Sequence, residues 1–162
     1  MHKIHDACSM HGSFRIEWRD ARNGRLLDAK TVKNLLMPIN RDIRTQMLMG
    51  TYAGGTDAIH IKYFAFGTGS TAATPQDTQL ESEQLRKQIT QISNPEPGKV
   101  ISVVSLGAGE ANDFDIREIG VFCGANASST ANSGTMISRV VAQIDKNSNI
   151  IVNIIRTDTC II

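Results

Sequence analysis

The stretch "FAFGTGSTAATPQDTQLESEQLRKQI", Phe64 to Ile89, decides how the chain is read. An apolar run precedes Gly67-Thr68-Gly69, and Ala72 follows three residues later. That spacing is the G-x-G-x-x-G/A of a dinucleotide-binding turn, where glycines let backbone amides approach a pyrophosphate at the start of a helix. The continuation forbids it. Pro75 falls where the helix interior would be, at a cost of about 3 kcal/mol. Leu80 is the one large apolar residue before Leu85, so no helical face could pack on a sheet. A Walker lysine is missing too, since the chain has no G-K-[ST]. The stretch reads instead as a strand end, a tight glycine exit and a long polar crossing into a second strand.

Working outward, "SFRIEWRD" (13–20) sets Phe14, Ile16 and Trp18 against Arg15, Glu17 and Arg19, the alternation of a half-buried strand. Asn23-Gly24 signals a hairpin, because both residue types tolerate positive φ. A helix is predicted over Asn40–Met49, with Ile39, Ile43 and Met47 on one stripe, Asn40 as cap and Gly50 as stop. From Ala58 the pattern is of short strands. "AIHIKYFAF", with Ile59, Ile61 and Tyr63 on one face, is followed by "QLRKQITQI", "KVISVVSL", "DIREIGVFC", "TMISRVVAQID" and "NIIVNIIRTD". Gly/Asn/Ser turns separate them, the rhythm of an all-β fold: an antiparallel, jelly-roll-like β-sandwich with one short α-helix. The expected organisation is an arm over 1–12, one sandwich domain over 13–157 and an apolar tail over 158–162. The polar loop Gly124–Gly134 is expected to be a mobile tip, or to become ordered against a partner.

At 162 residues the chain is long enough to bury a core without metal or disulfide staples. Its net charge of +1 and the absence of a dense basic run argue against nucleic-acid binding, and aromatics at 5% are too few for a base-stacking platform. The charge is uneven: residues 1–50 hold nine Lys/Arg and five Asp/Glu, and residues 51–162 hold eight and eleven. No stretch reaches the roughly 18 apolar residues of a membrane span, and the N-terminus has no apolar run of a secretory leader. A soluble chain made in the cytosol is expected.

Candidate chemistry is sparse. His2, His5, Cys8 and His11 recur at steps of three and offer zinc-type ligands, but one short segment near a terminus is poorly preorganised, and no metal is expected there. There is no G-x-S-x-G nucleophile elbow. Cys123, inside "IGVFCG", is expected to be a buried, inert thiol, and His60 an exposed or half-buried sheet residue. Paired acids such as Glu81/Glu83 and Asp113/Asp115 lie in polar segments without the desolvation that acid catalysis needs. No enzyme, cofactor or small-molecule substrate is expected.

The whole stretch "YFAFGTGSTAATPQDTQLESEQLRKQIT" (63–90) resembles a pattern found in small virion structural proteins of tailed bacteriophages. In these a strand ending in G-T-G leads to a "T-P-x-D-T-x-L" turn, an E-x-x-R and another strand. "DIREIGVF" (115–122), "TMISRVVAQIDKNSNIIVNI" (135–154) and the lead "GSFRIEWRDARNGRLLDAKTVKNLLMPINRDI" (12–43) are similar to the same family's other segments. The resemblance implies a β-sandwich subunit of the virion, assembled in the host cytoplasm as a homo-oligomer in the tail, neck/collar or baseplate. Its partners would be other tail, neck or fibre proteins. Glu83 and Arg86 are the expected interface pair on the crossing, with Glu118 a partner for Arg86 or Arg139. Ile161 and Ile162 are expected to dock on a neighbouring subunit, and Cys8 or Cys160 to form an inter-subunit disulfide. The alternative reading is a receptor- or carbohydrate-binding module of a tail fibre that uses the 124–134 loop. A small hydrolase or metal enzyme is a third, disfavoured one.

Overall fold

The computed structural model of the chain describes residues 9–51, 57 and 59–161. The strands are β1 (Ser9–Asp20), β2 (Leu26–Lys33), β3 (Leu35–Leu36), β4 (Ile61–Gly67), β5 (Glu83–Gln88), β6 (Gln91–Ser93), β7 (Lys99–Leu106), β8 (Ile116–Cys123), β9 (Thr135–Ile144) and β10 (Ile150–Ile161). One helix, α1 (Pro38–Leu48), lies between β3 and β4. They form two antiparallel five-stranded sheets, β2-β1-β10-β7-β6 and β3-β9-β8-β4-β5, packed face to face as an all-β sandwich.

Alternation builds the core. Phe14 and Ile16 of β1, Val104 and Leu106 of β7, and Val152 and Ile154 of β10 meet Phe64, Phe66, Ile119, Val121 and Val140 from the other sheet. Phe14 and Phe64 touch edge to face at 5.8 Å, the preferred geometry of two ring quadrupoles. Trp18 Nε1 donates to Asp145 O at 2.8 Å, which spends its one polar group at the sandwich end.

Two strands turn corners from sheet to sheet. Ile89 N–H still bonds Lys62 O in one sheet, and Thr90 N–H already bonds Val103 O in the other. At the opposite side, Asn34 N–H bonds Gly12 O and Met37 N–H bonds Ile137 O. Corners of this kind carry the chain from one sheet of a sandwich to the other.

Several local expectations change. The helix begins at Pro38, not Asn40, because proline's fixed φ and missing N–H suit a first helical position. Its end is as expected. Gly50 sits at φ +66° and Thr51 N–H returns to Gln46 O, a Schellman closure. At the hairpin only Gly24 takes positive φ (71°). The turn is longer than two residues, closed by Gly24 N–H to Asp20 O and Asp20 N–H to Arg25 O. A bulge between Ile61 and Tyr63 breaks their expected shared face, so Tyr63 packs on the outer side of its sheet. The arm and tail also differ from expectation. β1 begins at Ser9, β10 runs to Ile161, and the two pair from Ser9↔Ile161 to Asp20↔Ile150. Cys8 and Ile162 lie outside the described residues, as do His2 and His5.

A buried ion pair stands inside the sandwich. Arg156 on β10 is fully buried and donates to Asp158 Oδ1 at 2.7 Å. Its Nε and Nη1, Asp158 Oδ2 and Ser102 Oγ find no hydrogen-bond partner among the described residues. Burial lowers the Arg156 pKa from its ordinary value, because the charged form loses solvent. Breaking such a pair costs more than replacing it. Arg156→Met is expected to lower unfolding stability by about 3 kcal/mol, and Arg156→Met/Asp158→Leu to recover most of that loss in urea titrations.

Candidate functional site

The crossing loop that opened the sequence reading, residues 68–82, lies over the outer face of the sheet β3-β9-β8-β4-β5 and makes a third layer there. Its centre is a carboxylate. Glu118 on β8 is completely buried. Its Oε1 accepts the backbone N–H of Gly69 (3.0 Å) and Ser82 (2.8 Å), and its Oε2 accepts the N–H of Glu81 (3.1 Å) and Nε of Arg139 (2.9 Å). Both ends of the loop are thus hung from one side chain of a central strand.

The glycines of the G-x-G are required by that approach. A Cβ on Gly69 would lie 2.5 Å from Glu118 Oε1 and 2.5 Å from Glu81 Cβ, and one on Gly67 would collide with Ser82 O and Glu118 Oε1. An anion is therefore held here by backbone amides, one from the motif at Gly69 and two from Glu81 and Ser82 at the loop's far end, but the anion is the protein's own carboxylate.

Arg139 on β9, with 3% of its side chain exposed, extends the hold. Its Nη1 meets Asp77 Oδ2 at 2.7 Å, and its Nη2 lies 3.7 Å from Glu81 Oε2. Asp77 also accepts Thr74 N–H (2.9 Å) and the Thr74 hydroxyl (2.7 Å), which shapes the turn after Pro75. Glu81 accepts Thr71 N–H at 3.0 Å. Burial by itself would raise the Asp77 pKa, but the Thr74 donors and Arg139 together hold it below the ordinary carboxylate value. The Thr71 N–H, then its hydroxyl, do the same for Glu81.

Beneath the loop, Leu80 inserts into an apolar patch of Met37, Ala65, Phe122 and Met136, with Leu35 and Tyr63 at its rim. Gly120 makes the socket: a Cβ there would lie 2.8 Å from Leu80 and 2.9 Å from Phe122. The isolated Leu80, which denied a helix its apolar face, is the peg of this layer.

Beside it, Glu83 and Arg86 face each other in two bonds, Nε to Oε1 at 2.7 Å and Nη2 to Oε2 at 2.8 Å. Each side chain is only 2% exposed, so the pair is buried within one chain rather than presented to solvent. The Arg86 guanidinium carbon lies 3.9 Å from the Phe122 ring centroid, a cation–π stack. Arg86 Nη1 donates to Ser133 O (2.6 Å) and Ser133 Oγ (3.0 Å), and Asn132 N–H donates to Glu83 Oε2 (3.1 Å). These bonds fold the 124–134 loop back onto the sheet, where a free tip was expected. Gly124, Asn132 and Gly134 supply its positive φ values of 98°, 58° and 79°.

Of the expected interface residues, Glu83, Arg86, Glu118 and Arg139 are gathered in this one cluster, Glu118 with Arg139 and Arg86 with Glu83. Ile161 lies at the far end of β10, away from them. Cys160 is half-buried on the same strand. Gly120 and Phe122 were not expected among the site residues, and Asp77 and Leu80 were read only as a turn former and a lone apolar residue. Pro75-x-Asp77 signalled a turn, but nothing local revealed an arginine 62 residues away. Cys123 is buried against the core, which pushes its thiol up to about 11 and leaves little thiolate at neutral pH. His60 is exposed beside Asp57 at 3.1 Å, and His11 is exposed on β1. Among the described residues no group of three or more His, Cys, Asp or Glu is arranged to hold a metal ion.

Gly69→Ala is expected to cost about 1–3 kcal/mol through overpacking. Glu118→Gln, which leaves Arg139 buried without its main counter-charge, is expected to cost about 3–5 kcal/mol. Thermal melts check both. Acid should loosen the molecule as well. Asp77, Glu81 and Asp20 have folded-state pKa values below their ordinary ones, with Asp20 lowered to about 2 by Arg22. Their contribution is complete above the ordinary carboxylate pKa of about 4 and is lost as pH falls through the lowered values. Stability should therefore decline from about pH 4 towards pH 2, and Asp77→Asn should flatten part of that slope.

No family model, curated protein or solved structure matches the chain.

Proposed function

We propose that the chain is a non-enzymatic structural subunit of a tailed-bacteriophage virion, working as a homo-oligomer in the tail, neck/collar or baseplate. One observation carries the reading. Three of the four segments that bear the resemblance to virion proteins, 63–90, 115–122 and 135–154, converge on a single cluster. The first provides Gly67, Gly69, Asp77, Leu80, Glu83 and Arg86; the second provides Glu118 and Phe122; the third provides Met136 and Arg139. Motifs scattered through the sequence are thus parts of one device, which fastens a loop and a strand edge to a sheet. Its carboxylates and guanidinium groups are engaged in holding backbone and one another, a use that suits a subunit whose task is geometric.

The test is the composition of purified particles. Quantitative mass spectrometry should find the chain in intact virions at a fixed multiple copy number, and loss of its gene should leave particles with incomplete tails or necks. Its absence from purified particles, with full infectivity after deletion, would overturn the reading.

A further inference from the structure

We infer that β2 is a self-pairing edge, and that two copies of the chain join through it about a two-fold axis at Ala29. The inference deepens the oligomeric part of the proposed function by naming the surface and the partner, a second copy of this chain.

The outer strands of the two sheets are β2, β6, β3 and β5. β3 and β6 have two and three residues, and β5 is half-covered by its ion pair and the 124–134 loop. Among the described residues β2 is the long open edge, eight residues with six of them exposed. Leu26 and Leu27 at its start are 43% and 47% exposed. Such an edge is a template for another strand unless something blocks it.

Lysines, inward-pointing charges and bulges are the usual blocks, and a bulge between Trp18 and Arg19 lies at the start of β2. β2 carries two inward charges of opposite sign. Asp28 stands opposite Trp18 and Lys30 opposite Ile16, so both face the core side of the sheet at its rim. They border a groove of about 550 Å³ lined by Trp18, Leu27, Asp145 and Ile150.

Charge selects the register. Directly opposed residues of an antiparallel pair share a face. A two-fold axis perpendicular to the sheet keeps both cores on one side, so it must pass through a residue. Centred on Asp28 it would oppose two aspartates, and centred on Lys30 two lysines. Centred on Thr31 it leaves both charges unmatched. Centred on Ala29 it sets Asp28 against the partner's Lys30 twice, with Leu27 opposite the partner's Thr31. The Ala29 N–H, which now donates to the carboxylate of Asp28 at 2.8 Å, then donates to the partner's Ala29 carbonyl, and Asp28 turns to the lysine. The β2-bearing sheets of the two copies become one of ten strands, and the two grooves, with Trp18 and Ile150 beside Asp28, Lys30, Gln143 and Asp145, meet across the axis.

Sedimentation of the full-length chain over a range of concentrations should show a monomer–dimer equilibrium that weakens with salt. Lys30→Asp and Asp28→Lys should each weaken dimerisation about tenfold or more, and the double exchange Asp28→Lys/Lys30→Asp should restore it. An interface without two-fold pairing of these two positions would not recover. Ala29→Cys should cross-link to itself under mild oxidation, because opposed Cα atoms across the axis fall within disulfide range, and Thr31→Cys should not. Peptide mapping separates these links from any made by the native cysteines. A monomer at all concentrations, a dimer indifferent to the charge changes, or preferential linkage at position 31 would each overturn the paired edge. Particle composition decides the structural role separately, so a virion protein that is monomeric in solution would remove this inference and leave that role standing.

Discussion

The buried carboxylate of Glu118 is the constraint on which the outer layer depends. A charge with no solvent exposure is tolerable only when its lone pairs are filled, and four donors fill them here: three backbone amides and one guanidinium. The arrangement fixes the path of a loop otherwise too polar to hold itself down. It also requires glycine at 67 and 69, since any Cβ would intrude on the carboxylate. One side chain thus dictates the loop's two ends, its composition and the position of Arg139, and Arg139 passes the constraint on to Asp77 and the turn.

Two kinds of binding act together on that face. Leu80 in its socket on Gly120 supplies the apolar contact, and the Glu118–Arg139–Asp77 network supplies direction. Apolar burial alone is not directional, so the polar network sets which way the loop runs. The Glu83–Arg86 pair repeats the scheme with Phe122 as platform, and it secures the 124–134 loop. The main core, by contrast, is plain alternating Phe, Ile and Val, interrupted by Arg156. Its centre joins the first strand to the last, β1 to β10, so the sheet closes only when both chain ends are in place.

Much of this was legible in advance. Alternation at Phe14, Ile16 and Trp18 marked β1 and the face it buries, and turn residues separated the later strands nearly where they end. Gly50 announced the helix stop, and Pro75 ruled out a helix after the G-T-G turn. The misreadings have local causes. The bulge at Lys62 shifts Tyr63 to the other face, and a bulge leaves little trace in composition. Asn40 resembled a cap because it precedes an apolar stripe, but Pro38 could already begin the helix. The 124–134 loop looked free because Ser, Asn and Gly form no core of their own; Arg86 and Glu83 hold it from outside.

By itself the sequence determined the all-β class, a short helix before the later strands and the lack of a helix after the G-T-G turn, because periodicity and proline chemistry act over neighbouring residues. Only the tertiary structure decided what the turn holds. Gly69 and Glu118 are 49 residues apart, and Asp77 and Arg139 are 62 apart. Strand order and register bring them together, and no short-range pattern carries that information. The same strand order leaves β2 on the outside with Asp28 and Lys30 on its core-side rim, where their spacing of two becomes a property of an edge.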